Sequence, residues 1–66
     1  MSNNIIEMIK LCGRNNIEFV WNKNDDKCSS QFLSEEKRFI LNVTPEDDNI
    51  EDFLNDELEK LKDRFQ

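Results

Sequence analysis

The sequence predicts a small single-domain α+β fold over residues 1–66: a helix, a three-stranded antiparallel β-meander and a second helix, with both helices packed on one sheet face. Three patterns predict it. Apolar residues recur at helical spacing near the start, alternate through the middle, and return to helical spacing in the last third. No repeat, linker or low-complexity tract interrupts them.

In the first segment Ile5, Met8, Ile9 and Cys12 form the stripe of an amphipathic helix running from Asn4 to Cys12, widened by Ile6 and Leu11. Asn4 is the expected cap, with Glu7 placed to reach back to it. Gly13 is the expected stop, because glycine enters the left-handed conformation without a Cβ clash. Arg14 then suits the negative helix end.

Ile17, Phe19 and Trp21 alternate and share one face of a first strand. Residues 23–27 are polar and suit a turn. A second, weaker strand is expected over Cys28 to Leu33. After the polar turn Ser34-Glu35-Glu36-Lys37 a third strand runs over Arg38 to Val43, with Phe39, Leu41 and Val43 on one face. A helix starting at Ser34 competes, but a hairpin gives Phe32 and Leu33 a partner. Thr44-Pro45-Glu46-Asp47 reads as a helix start, with a restart available at Asp48-Asn49. Ile50, Phe53, Leu54, Leu58, Leu61 and Phe65 then supply an apolar face, and the basic Lys60, Lys62 and Arg64 gather near the carboxyl end.

Composition narrows the function classes. A chain of 66 residues buries a smaller fraction of its surface than a larger domain does, so a staple or partner chain is often needed. Two cysteines, Cys12 and Cys28, make no disulfide framework and read as thiols in a reducing compartment. No apolar run approaches the ~20 residues of a spanning helix, and the first residues lack the pattern of a secretory signal, so a cytoplasmic protein is expected. The net charge of −6 disfavours direct contact with nucleic acid and favours a basic protein surface as partner.

The residues of catalysis are missing. There is no histidine, and a single glycine rules out a glycine-rich phosphate loop. No serine stands in a nucleophile elbow. The oxygen-rich Asn22-Lys23-Asn24-Asp25-Asp26 fails as a calcium loop: Lys27 replaces the turn glycine and Leu33 the closing glutamate. The expectation is a non-enzyme without metal or cofactor.

What stands out is an acidic run. Glu46, Asp47, Asp48, Glu51, Asp52, Asp56, Glu57 and Glu59 occur with no lysine or arginine among them. On a helix they span roughly 20 Å. Complementing the helix dipole needs only an acid or two at the start, such as Glu46 and Asp47. The rest either solvate the outer face or meet a cationic partner, and like charges one turn apart weaken a helix. Trp21 is the candidate apolar anchor, since tryptophan is enriched among interface hot spots. Val20 and Ile40 are expected on the uncovered sheet face, and Cys28-Ser29-Ser30-Gln31 offers an edge to a strand of another chain.

These features point to an inhibitory binding protein that docks the anionic helix on the basic nucleic-acid-binding surface of a host protein. In size, charge and Asn/Lys/Asp-rich composition the chain is similar to the small acidic proteins that phages and mobile elements use against host defence, anti-CRISPR proteins among them. That similarity implies an inhibitory role and assigns no residue. Two other readings stay open: homo-oligomerisation through the seam Leu54, Leu58, Leu61 and Phe65, and an antitoxin or immunity protein that neutralises a basic toxin.

Overall fold

The computed structural model describes residues 3–65, in the order α1 (Asn3–Arg14), β1 (Glu18–Lys23), β2 (Ser29–Leu33), β3 (Arg38–Val43) and α2 (Ile50–Phe65). The α+β class and the element order are as the sequence predicts.

The sheet differs from the predicted meander. Its strand order is β1-β3-β2, with β1 parallel and β2 antiparallel to β3. β2 and β3 do form the expected hairpin, but β1 pairs with β3 and not with β2. The physical reason lies in β3. Its inward residues Phe39, Leu41 and Val43 are all buried, and the central place gives that strand neighbours on both edges. The loop from Asn24 to Cys28 therefore carries the chain past the end of β3. Polar contacts fasten it there: the Asn24 amide donates to the Val43 carbonyl at 2.9 Å, the Thr44 hydroxyl to Asn24 Oδ1 at 2.7 Å, and the Thr44 amide to Cys28 Sγ at 3.4 Å.

Both helices lie on one sheet face. The core joins Ile5, Met8 and Cys12 of α1, Phe39, Leu41 and Val43 of β3, and Leu54, Leu58 and Leu61 of α2. Asn4 Nδ2 donates to Asn55 Oδ1 at 2.7 Å at one end of the helix pair, and Leu11 and Phe65 line a common groove at the other. Positions of increasing number thus face each other, and the helices run parallel. A row of tilted rings, Phe19–Phe39–Phe32–Phe65, crosses the sheet and reaches α2 at centroid separations of 5.7, 6.4 and 6.0 Å.

The ends of α1 correct two local expectations. Asn4 lies inside the helix and spends its side chain on Asn55. Gly13 is also helical and does not adopt a positive φ. The stop is Asn16, at φ 59°. The Ile17 amide donates to the Cys12 carbonyl at 2.8 Å and the Asn16 amide to the Gly13 carbonyl at 3.4 Å, which is the paired-bond termination of a Schellman motif. Asparagine is among the side chains that tolerate this conformation best after glycine.

The start of α2 is delayed. Thr44 is buried with its hydroxyl committed to Asn24, so it does not cap a helix. Two turns follow, closed by the Asp47 amide on the Thr44 carbonyl (3.0 Å) and the Ile50 amide on the Asp47 carbonyl (3.2 Å). The helix begins at Ile50, the restart noted in the sequence.

Candidate functional site

On α2 the seam Leu54, Leu58, Leu61 and Phe65 advances by four, three and four residues. Asp52, Asp56, Glu59 and Asp63 repeat the same steps two residues earlier. A shift of two residues turns the helix by about 200°, so this carboxylate strip faces almost directly away from the core. All four residues are exposed. From Asp52 to Asp63 the strip rises about 16 Å. A single strand of a duplex carries about five phosphates over that length, so four carboxylates match its charge coarsely.

The cations of α2 stand on the shoulders of this strip. Lys62 Nζ approaches Glu59 Oε1 at 4.0 Å, with the carboxylate still 71% exposed. Lys60 turns toward Glu57 at 3.7 Å. The Arg64 guanidinium lies 4.0 Å above the Phe32 ring, a cation–π contact on the β2 side of the helix. Asp52, Asp56 and Asp63 have no ion pair among the described residues. An exposed pair such as Glu59–Lys62 is worth about 0–1 kcal/mol, so it yields readily to a better cation.

The sequence-predicted acids divide into several groups. Asp52, Asp56 and Glu59 belong to the strip. Glu51 is exposed on the shoulder turned toward α1. Glu46 and Asp48 are exposed in the turns before the helix. Asp47 is half-buried and accepts the Asn49 amide at 2.8 Å, which orders the turn. Glu57 leaves the candidate surface. It is 6% exposed, points inward, and accepts a hydrogen bond from the Ser30 hydroxyl at 2.8 Å. Its work is to tie α2 to β2.

Asp63 is the strip residue that the acidic run misses, because Lys60 and Lys62 precede it. The signal was present in the helical step: counting by four, three and four from Asp52 reaches it directly.

Trp21 does not join the strip. It stands on β1, the strand that α1 covers, whereas α2 makes its side-chain contacts with β2 through Ser30 and Phe32. Its 44% exposure makes it the most exposed large apolar residue among those described. Val20 and Ile40 lie on the uncovered sheet face, half-buried, between the Glu18–Arg38 pair at 3.2 Å and a row of hydrogen bonds joining Asn22, Asn42 and Ser29.

The proposed oligomerisation seam is occupied within the chain: Leu54, Leu58 and Leu61 are buried against α1 and the sheet, and Phe65 packs on Phe32. Both cysteines are free thiols. Cys12 is buried in the core, and desolvation holds its thiol above the ordinary cysteine pKa. Among the described residues no group of three or more metal-binding side chains converges, and no helix is long and apolar enough to cross a membrane. Comparison with protein families, with characterised proteins and with solved structures finds no match for this chain.

Proposed function

We propose that the chain is an inhibitory binding protein, of the kind phages and mobile elements direct at host defence, that lays the outer face of α2 on a basic, nucleic-acid-binding surface of a protein partner. The alignment of Asp52, Asp56, Glu59 and Asp63 on the face opposite the core is the observation that carries this reading. A solvated helix face needs polar residues but not one sign of charge along four successive positions. Moreover, the dipole disfavours an acid near the carboxyl end, where Asp63 stands. The net charge of −6 adds long-range attraction toward a basic groove and repulsion from nucleic acid itself.

Such a partner releases the chain when offered the polyanion that the strip replaces. In an affinity capture from host extract, the partner is expected to elute with a DNA or RNA oligonucleotide and with raised salt. It is expected to escape capture by the variant Asp52→Asn, Asp56→Asn, Glu59→Gln, Asp63→Asn. A partner held equally well by that variant, and indifferent to oligonucleotide, would refute the reading.

A further inference from the structure

One acid is buried within the apolar face of α2. Counting about 100° per residue from Leu54, the side chains of Phe53, Ile50, Leu61, Phe65 and Leu58 fill an arc from about −100° to +40°. Glu57 falls at about −60°, inside that arc, between Phe53 and Leu61. It is 6% exposed and borders a small cavity with Phe32, Phe39 and Leu61.

An acid in that position does not serve stability. A buried carboxyl is tolerated only when it is hydrogen-bonded or paired, and an apolar side chain of similar volume would fill the place as well or better. What the carboxyl adds is direction. Its Oε1 accepts the Ser30 hydroxyl at 2.8 Å and lies 3.7 Å from Lys60 Nζ. Apolar contacts are non-directional, so they hold α2 on the sheet without selecting one roll angle. The buried leucines 54, 58 and 61 are centred near +10°, whereas the whole apolar arc is centred near −30°. Burial of the entire arc would therefore roll the helix by about 40°. On the opposite flank Asn55, at about +100°, accepts a hydrogen bond from Asn4 at 2.7 Å. That pair is exposed to water, whereas the Ser30–Glu57 bond is partly buried.

We infer that Glu57 is a positioning residue: its bond to Ser30 fixes the roll of α2 about its own axis and so aims the carboxylate strip. The consequence for docking rests on the function proposed for the strip; the roll itself does not. Side chains reach about 5–6 Å from a helix axis. A roll of about 40° would carry the strip sideways by about 4 Å, the full reach of an ion pair. Asp52, Asp56, Glu59 and Asp63 would then miss cations that the observed roll lets them meet.

Two variants of the intact chain test this. The double variant Ser30→Ala, Glu57→Met replaces the pair by apolar groups of similar volume. Glu57→Gln removes the charge but keeps an acceptor for Ser30. The roll is read without any partner, from the phase of amide residual dipolar couplings along α2. The double variant is expected to melt at the wild-type temperature or a few degrees above it. Its couplings should show a roll of about 40°, or its α2 amides should broaden by exchange between rolls. Its affinity for the captured basic partner should fall about tenfold or more. Glu57→Gln should restore the wild-type couplings and bind within about threefold of wild type. Wild-type couplings and linewidths in the double variant, or a changed roll in Glu57→Gln, would overturn the proposal. So would a changed roll that leaves partner affinity intact while neutralising the strip abolishes it, since docking would then not depend on aim. If neutralising the strip leaves binding unchanged, the function proposed for the strip fails, and the couplings still decide whether Glu57 sets the roll.

Discussion

Asn16 and Gly13 exchange the roles that their residue types suggest. Glycine is the usual helix terminator, yet Gly13 sits in the last turn of α1 and Asn16 takes the positive φ. Local sequence places the end of the helix within a few residues. The register of the Ile17 side chain, packed against the core, selects the residue that must turn. The space around Gly13 leads to a prediction: a Cβ there would meet nothing within 4 Å. Gly13→Ala should stabilise the chain by about 0.5–1 kcal/mol in chemical denaturation, by lowering the entropy of the unfolded chain. The thiols allow another residue-level check. Cys12 is fully buried and its pKa is raised, so a thiol reagent should modify it only through unfolding, while half-buried Cys28 should react in the native state. Because the Cys12 pKa is raised on folding, its contribution to stability is complete below the unfolded-state pKa. It declines as pH climbs from there toward the folded-state value.

Among the elements, α2 is where stability and the proposed binding oppose each other. Asp63 lies in the last turn, beside carbonyls that repel it, and one turn from Glu59. Asp63→Asn is therefore expected to raise thermal stability by about 0.3–1 kcal/mol while weakening capture of the basic partner. A fall in both would mean that the carboxylate serves the fold, and unchanged capture would mean that it is not part of the docking face. Much of this element could be read from the sequence, because the seam and the strip are both periodic. Glu57 could not be separated from its acidic neighbours in that way. Its burial depends on Ser30, which lies on a strand 27 positions away, and only the tertiary fold brings the two together. The strand pairing was hidden for a similar reason. Alternation identifies which residues of β1, β2 and β3 share a face, and Phe39, Leu41 and Val43 are buried as expected. It carries no information on which strand takes the centre, which the Asn24–Cys28 crossing and its bonds to Thr44 determine.

At the scale of the whole molecule, a core of few side chains supports two chemically different flanks. Leu41 is fully buried on the central strand, and truncation to alanine should cost about 2–5 kcal/mol, a large share of the stability of a domain this small. Circular dichroism melting of Leu41→Ala would register this as a steep fall in the midpoint. The parallel helices leave the carboxylate strip exposed on α2 and Ile6 and Ile9 exposed on α1.

The most direct measurement is the affinity of the captured basic partner for the wild-type chain and for the strip-neutralised variant, each at about 50 and 500 mM salt. The account predicts tight wild-type binding that falls steeply with salt, and a variant that is weak at both concentrations with little salt dependence. Equal affinities for the two chains, with the same dependence on salt, would contradict it.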